Sequence, residues 1–294
     1  LISPDLTLAV CRFVFDGAAL FLWGAAIYLG TLVPSVLRMQ VWTQLASSRR
    51  VACVCCALTS LASLPLHTAI IGDGWQDATH WSMLVSVANG TSIGTAWWCQ
   101  LIASLLLAGA GALGSGATIA AHALASGLLL ASLALTGHAL LGHAWTAWLH
   151  QINDVLHLLS AGAWLGALPV VLLLLPRLRE PLLATPAKTA LMRFSTAGHV
   201  AVSLVLLSGI VSMFLIIGGL PLDWSYPYQM LLTLKIALVM LMALLALINR
   251  YLLLPRMKRS RQAAGLFFWV SVVEIGLSLL VILLVAWFGM LEPN

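Results

Sequence analysis

Charge is what this chain has least of. Only 8% of its 294 residues are Asp, Glu, Lys or Arg, against 62% hydrophobic residues, and the mean hydropathy is +1.04; a soluble domain carries roughly 25% charged residues. That balance excludes a soluble globular fold and leaves a polytopic membrane protein. Cysteine is scarce as well. The five thiols, Cys11, Cys53, Cys55, Cys56 and Cys99, are odd in number and sit mostly within apolar runs, which excludes a disulfide framework. There is no Cys-x-x-Cys-His for covalent haem attachment, no Walker or DKTG-like motif for an ATPase, and no dense Met-x-x-Met array among the nine methionines. No internal repeat, soluble domain or linker interrupts the apolar pattern, so residues 1–294 read as a single transmembrane domain.

What is present is a set of long apolar runs. A bilayer is crossed by about 20 apolar residues, and on that measure the expected fold is an all-α helical bundle of eight spans, at roughly 6–32, 51–72, 93–113, 117–136, 152–175, 191–217, 228–254 and 266–290. The chain opens on Leu1 without an initiator methionine, and its first run is too long for a secretory signal and reads as a true span. Gly114, Ser115 and Gly116 leave room only for a tight turn, which makes the third and fourth spans an antiparallel hairpin.

The formal net charge of +5 and the pI near 9.2 do not point to nucleic acid, because the basic residues fall in short turns. Arg38, Arg49, Arg50, Arg177, Arg179, Lys188, Arg193, Arg250, Arg256, Lys258, Arg259 and Arg261 all lie between spans on one side. They leave only Arg12 and Lys235 of the 14 basic residues. By the positive-inside tendency that side is cytoplasmic, and both termini face outward. The opposite face carries Asp5, Asp73, Asp77, His80 and Asp223, together with Trp75, Trp81, Trp97, Trp98, Trp145, Trp148 and Trp224 as an interfacial aromatic belt.

Four of the eight histidines, His138, His143, His150 and His157, fall between Thr136 and Gly166. On a helix, His150, Asp154 and His157 stand at i, i+4 and i+7, within about 60° of one face. Ionisable groups in an apolar span are costly unless they bind one another, water or an ion. Position adds His67, Arg12, Asp16 and Lys235 to this outer polar layer. Arg12 and Asp16, spaced i, i+4, can neutralise one another, and Lys235 can snorkel outward. A second, inner layer holds His199, Glu274 and, somewhat shallower, His122, and His199 with Glu274 forms a possible relay. Cys53, Cys55 and Cys56 at the inner end of the second span are soft ligands suited to Cu(I) and weaker exit candidates, although packing explains them better. Gly162 and Gly166 form a GxxxG pair that permits close helix contact.

The order and spacing of residues in the second half resemble the copper resistance protein D family (CopD/PcoD). The pattern runs from Thr136-Gly137-His138 through His150, Asp154 and His157 to Trp164-Leu165-Gly166. It continues with Arg193-Phe194-Ser195, Gly209, Tyr228, Lys235, Asn249-Arg250, Pro255 and Glu274. Up to about residue 115 the likeness rests only on span count and His67.

The resemblance implies a multi-pass protein of the bacterial inner membrane that moves copper across it, inward, from a separate periplasmic copper-binding partner of the CopC type. Copper ligands carry over to His138, His150, Asp154 and His157, and position alone adds His67 and His143. Imidazoles suit both Cu(I) and Cu(II). The expected activity is transport, not enzymatic turnover. Two other readings stay open: a membrane redox protein with non-covalent haem between facing histidines, and a scaffold that docks a periplasmic protein and moves nothing.

Overall fold

Apolar runs of this length must satisfy their backbone hydrogen bonds within the chain, and outside a closed barrel only helices do so. The computed structural model describes residues 3–111, 115–135, 144–257 and 261–291, and contains no strand among them. Its helices are α1 (Pro4–Thr31), α2 (Ser35–Gln44), α3 (Ala46–Ile71), α4 (Trp81–Gly90), α5 (Ser92–Ala110), α6 (Ser115–Ser132), α7 (Ala144–Leu165), α8 (Leu168–Leu174), α9 (Ala184–Ile217), α10 (Pro227–Ile248), the three-residue α11 (Leu254–Arg256) and α12 (Arg261–Phe288). Among the described residues, eight helical segments are long and apolar enough to cross a membrane, the fifth of them formed by α7 and α8 together.

The span count matches the expectation, but the ends do not. Helix α3 begins at Ala46 instead of 51, α7 at Ala144 instead of 152, and α9 at Ala184 instead of 191. Backbone hydrogen bonding does not stop where the side chains turn polar, so Arg49, Arg50 and Lys188 lie on helices and not in loops. Two short helices, α2 and α4, also stand where turns were expected. Leu37, Val41 and Trp42 of α2 are buried in the core beneath the bundle, which holds that helix against the basic end.

At the centre of the bundle stands α1, packed against α3, α6, α7 and α12. Its Leu22, Ala25, Ala26 and Leu29 are almost wholly buried. The closest approach is to α7. A Cβ on Gly24 would overlap the Gly162 carbonyl and the Gly166 backbone, and one on Gly166 would overlap the carbonyl of Leu20. The expected packing role of the GxxxG pair is therefore met, with Gly24 as its counterpart across the contact. Trp23 Nε1 donates to the Leu159 carbonyl at 2.9 Å and fixes the register of the crossing. By contrast, α9 packs on α7 and α10 on α12, at the edge of the bundle.

This crossing makes a direct prediction. Gly24→Val forces two backbones apart and should cost more than the roughly 1–3 kcal/mol of ordinary overpacking. Gly198→Ala, whose Cβ meets nothing within 4 Å, should cost little. Thermal unfolding in detergent should show a large fall in Tm for the first and almost none for the second.

Candidate functional site

Two cavities lie along the bundle, one at the histidine-rich end and one towards the basic end. The upper cavity, of about 460 Å³, collects polar side chains from four helices: Arg12 and Asp16 of α1, His67 of α3, Gln100 of α5, and Asp154 and His157 of α7. Asp5 near the start of the described chain and Met290 near its end line the same cavity, so the two ends of the bundle's chain lie on one face. The outer polar layer is thus assembled around a common space. Lys235 of α10 lies within electrostatic range of both Asp154 and His157, and its ammonium stands 5.9 Å from the Phe288 ring.

Within this layer Arg12 and Asp16 form no ion pair at 4 Å among the described residues, although their charges interact. Both face the cavity instead, and the Arg12 guanidinium packs where a side chain on Gly289 would otherwise reach. The two side chains therefore share one cavity wall without direct contact.

His150 stands one turn from Asp154, with Nε2 3.6 Å from Oδ2. It is buried, and its Nε2 has no hydrogen-bond partner among the described residues. It does not line the upper cavity itself and reaches it through Asp154. His138 and His143 lie outside the described residues.

The sequence reading missed the support behind these ligand candidates. Asn153 Nδ2 donates to the Ser208 carbonyl at 3.0 Å and to Ser212 Oγ at 2.7 Å, which ties α7 to α9. Ser212 Oγ donates in turn to Asp154 Oδ1 at 3.2 Å. The hydroxyl of Ser208 donates to the Leu204 carbonyl, so it accepts from His157 Nδ1 at 2.8 Å. With the Ser208 hydroxyl given to Leu204, a neutral His157 would carry its proton on Nδ1 and offer Nε2 as a ligand. An asparagine inside His-x-x-Asn-Asp-x-x-His and a Ser208/Ser212 pair at i, i+4 were the available signals.

The lower cavity, of about 390 Å³, is lined mostly by apolar side chains of α7 to α12, together with His199, Asn249, Arg250, Ser271 and Glu274. His199 and Glu274 therefore share a space, as an inner relay requires, but they do not touch. His199 has both ring nitrogens engaged, Nδ1 with the Ser195 carbonyl at 2.8 Å and Nε2 with the Tyr251 hydroxyl at 3.2 Å. Glu274 lies midway along α12, which begins at Arg261 and not at 266. It accepts from Asn249 Nδ2 at 2.8 Å through Oε2.

Between the cavities lies a plug of Trp164, Ala201, Met242, Ala243 and Val281. Trp164 stands ten residues, about 15 Å, beyond Asp154 along the α7 axis. Its own side chain is 3% exposed.

The remaining candidates lie apart from both cavities. His122 belongs to neither cavity lining; its Nδ1 donates to the Thr118 carbonyl, and its ring stacks edge-on against Trp42, over which Arg49 lies 3.4 Å from the ring centre. The inner layer expected from depth alone therefore splits into two unrelated clusters. Cys53, Cys55 and Cys56 line neither cavity, and Cys56 is packed among Leu20, Leu107 and Leu129. Among the described residues, no three of His, Cys, Asp and Glu are gathered closely enough to hold a metal ion as they stand.

The plug can be tested by access. A membrane-impermeant thiol reagent added from the histidine-rich side should label Ser278→Cys, a position buried at the level of the plug, far faster once Trp164→Ala opens a way down. Equal labelling with and without Trp164 would mean that the plug does not seal.

Comparison with known proteins matches both halves of the chain. Residues 3–148 match the family described as copper resistance protein D-like, N-terminal domain, and residues 188–288 match copper resistance protein D. The first half thus carries more of the likeness than its span count and His67. The chain is 32% identical over 287 residues to "Inner membrane protein YebZ" of Escherichia coli (strain K12), covering 96% of this chain and 97% of that protein. It is 36% identical over 157 residues to "Copper resistance protein D" of Pseudomonas syringae pv. tomato, covering 49% of this chain and 50% of that protein. No solved structure matches. With a relative aligned along nearly its whole length and eight helices able to cross a bilayer, the chain belongs to the copper resistance protein D family and is a multi-pass protein of the inner membrane.

Proposed function

We propose that this protein imports copper from the periplasm, taking the ion from a separate CopC-type carrier at the histidine-rich end and holding it in the upper cavity. In this reading both termini and the upper cavity face the periplasm, as the distribution of arginine and lysine suggests. The observation that carries the proposal is the His157 imidazole, held through Nδ1 by Ser208, at a cavity that also receives Asp154 and His67. A buried nitrogen without a partner on His150, beside Asp154, supplies the next ligand. His138 and His143, in the stretch leading into α7, remain proposed capture residues.

The chemistry is ligand exchange. Copper on an incoming carrier meets imidazoles whose protons already sit on the far nitrogen, so no deprotonation has to precede binding. Asp154 balances part of the ion's charge, and Lys235 and Arg12 oppose its lingering there. Passage inward then requires the Trp164 plug to part, after which Glu274 and His199 are the polar groups on the cytoplasmic side. For His199 this means releasing Tyr251.

Three outcomes follow. Replacing both His150 and His157 by Ala should abolish copper accumulation by intact cells expressing the protein, and unchanged accumulation would remove the site. Ser208→Ala should leave the fold intact and weaken copper binding about 10–100-fold, the usual effect of losing a ligand's supporting partner; full affinity in that variant would show that the tautomer lock is irrelevant. Purified protein carrying copper and lacking a Soret band supports transport, whereas a Soret band that disappears on replacing His67 or His157 would turn the reading to haem.

A further inference from the structure

The lower cavity is built for something larger than an ion in transit. Its volume of about 390 Å³ falls in the range of small-molecule sites, and Trp164, Phe194 and Phe267 give it aromatic walls. Glu274 is 2% exposed and Asn249 6% exposed, and both contribute to the lining. Although Asn249 donates to Glu274 Oε2, Glu274 Oε1 and Asn249 Oδ1 have no hydrogen-bond partner. Both residues line the cavity, and a buried oxygen without a partner on each is expensive; a ligand that brings donors would satisfy them.

The surroundings say how such a ligand arrives. Among the described residues α9 and α10 make no extended contact with each other, and the cavity lies between them. Leu207 on α9 and Met240 and Leu244 on α10 are more than half exposed, on faces that meet lipid. Two hydrogen bonds bridge the gap at the basic end: Arg250 donates to Ser195 Oγ at 2.7 Å, and Tyr251 meets His199 at 3.2 Å. They belong to a π-turn at Asn249–Leu253 that precedes Pro255, whose missing N–H is one reason for the irregular turn. The same turn carries Asn249, so the closure at the rim and the acceptor at the wall are set by one irregularity.

We propose that the lower cavity binds a lipophilic hydroxyl donor of the hydroquinone class, which enters sideways from the bilayer between α9 and α10 and donates hydrogen bonds to Glu274 Oε1 and Asn249 Oδ1. The ring lies among Trp164, Phe194 and Phe267, and the apolar tail leaves through the gap into lipid. Depth favours a hydroxyl over a lipid ammonium headgroup, since Glu274 sits midway along the 28-residue α12, about 20 Å from its start. The site does not depend on the residues proposed to hold copper, which lie above the plug, although Glu274 and His199 also stand on the inward path of the copper reading.

The test uses the whole protein in phosphatidylcholine nanodiscs with a radiolabelled decyl-hydroquinone under anaerobic conditions. Binding should be saturable at one molecule per chain and at least ten-fold weaker for the dimethyl ether of the same compound, which has lost both donors. Glu274→Leu should weaken it at least ten-fold. Gly198→Trp, at a position that lines the cavity and has open space beside it, should block it while gel filtration shows an intact fold. Replacing the lipid with phosphatidylethanolamine should change nothing. Non-saturable uptake, equal binding of the ether, unchanged binding in Gly198→Trp, or displacement by phosphatidylethanolamine would each overturn the proposal. Copper binding measured on the same samples reports separately on the upper cavity.

Discussion

An ionised or hydrogen-bonding side chain cannot be left facing hydrocarbon, and this constraint arranges the whole bundle. Many of the groups within the spans point inward and gather at two cavities, while His122 finds its partners in Thr118, Trp42 and Arg49. Helix α1 can stand in the middle because it is apolar on nearly every side except at Arg12 and Asp16, which open onto the upper cavity. The glycine crossing between α1 and α7 sets the positions of His157 and Trp164 together, since both ride on the helix that Gly24 admits so closely.

From this packing follows a division of labour along α7. Its first half presents Asn153, Asp154 and His157 to α9 and to the upper cavity, and its second half presents Gly162, Trp164 and Gly166 to close packing and to the plug. The copper proposal uses the first half and the barrier the second. The lower cavity, open between two edge helices, has the different character of a site served from the lipid.

Much of this was legible in the sequence. The eight spans could be counted because a bilayer demands about 20 apolar residues at a time, and the convergence of Arg12, Asp16, His67, Asp154 and His157 could be expected because each lay at a similar depth. Depth, however, says nothing about rotation. His122 and Glu274 appeared to form one inner layer, yet His122 faces Arg49 and Trp42 while Glu274 faces Asn249. The serines behind His157 and Asp154 were hidden for a related reason: a hydroxyl in an apolar helix usually bonds its own backbone, and only the neighbouring helix reveals a second role. Helix ends were missed where the backbone continued into the polar boundary, as at Ala144 and Arg261.

The central claim is that copper binds to imidazole in the upper cavity. Copper-edge X-ray absorption on the purified, copper-loaded protein addresses it most directly. The account predicts one copper per chain in a shell of nitrogen and oxygen with at least two imidazoles, one of which is lost in His157→Ala. A sulfur-dominated shell, or a spectrum indifferent to His157, would contradict it.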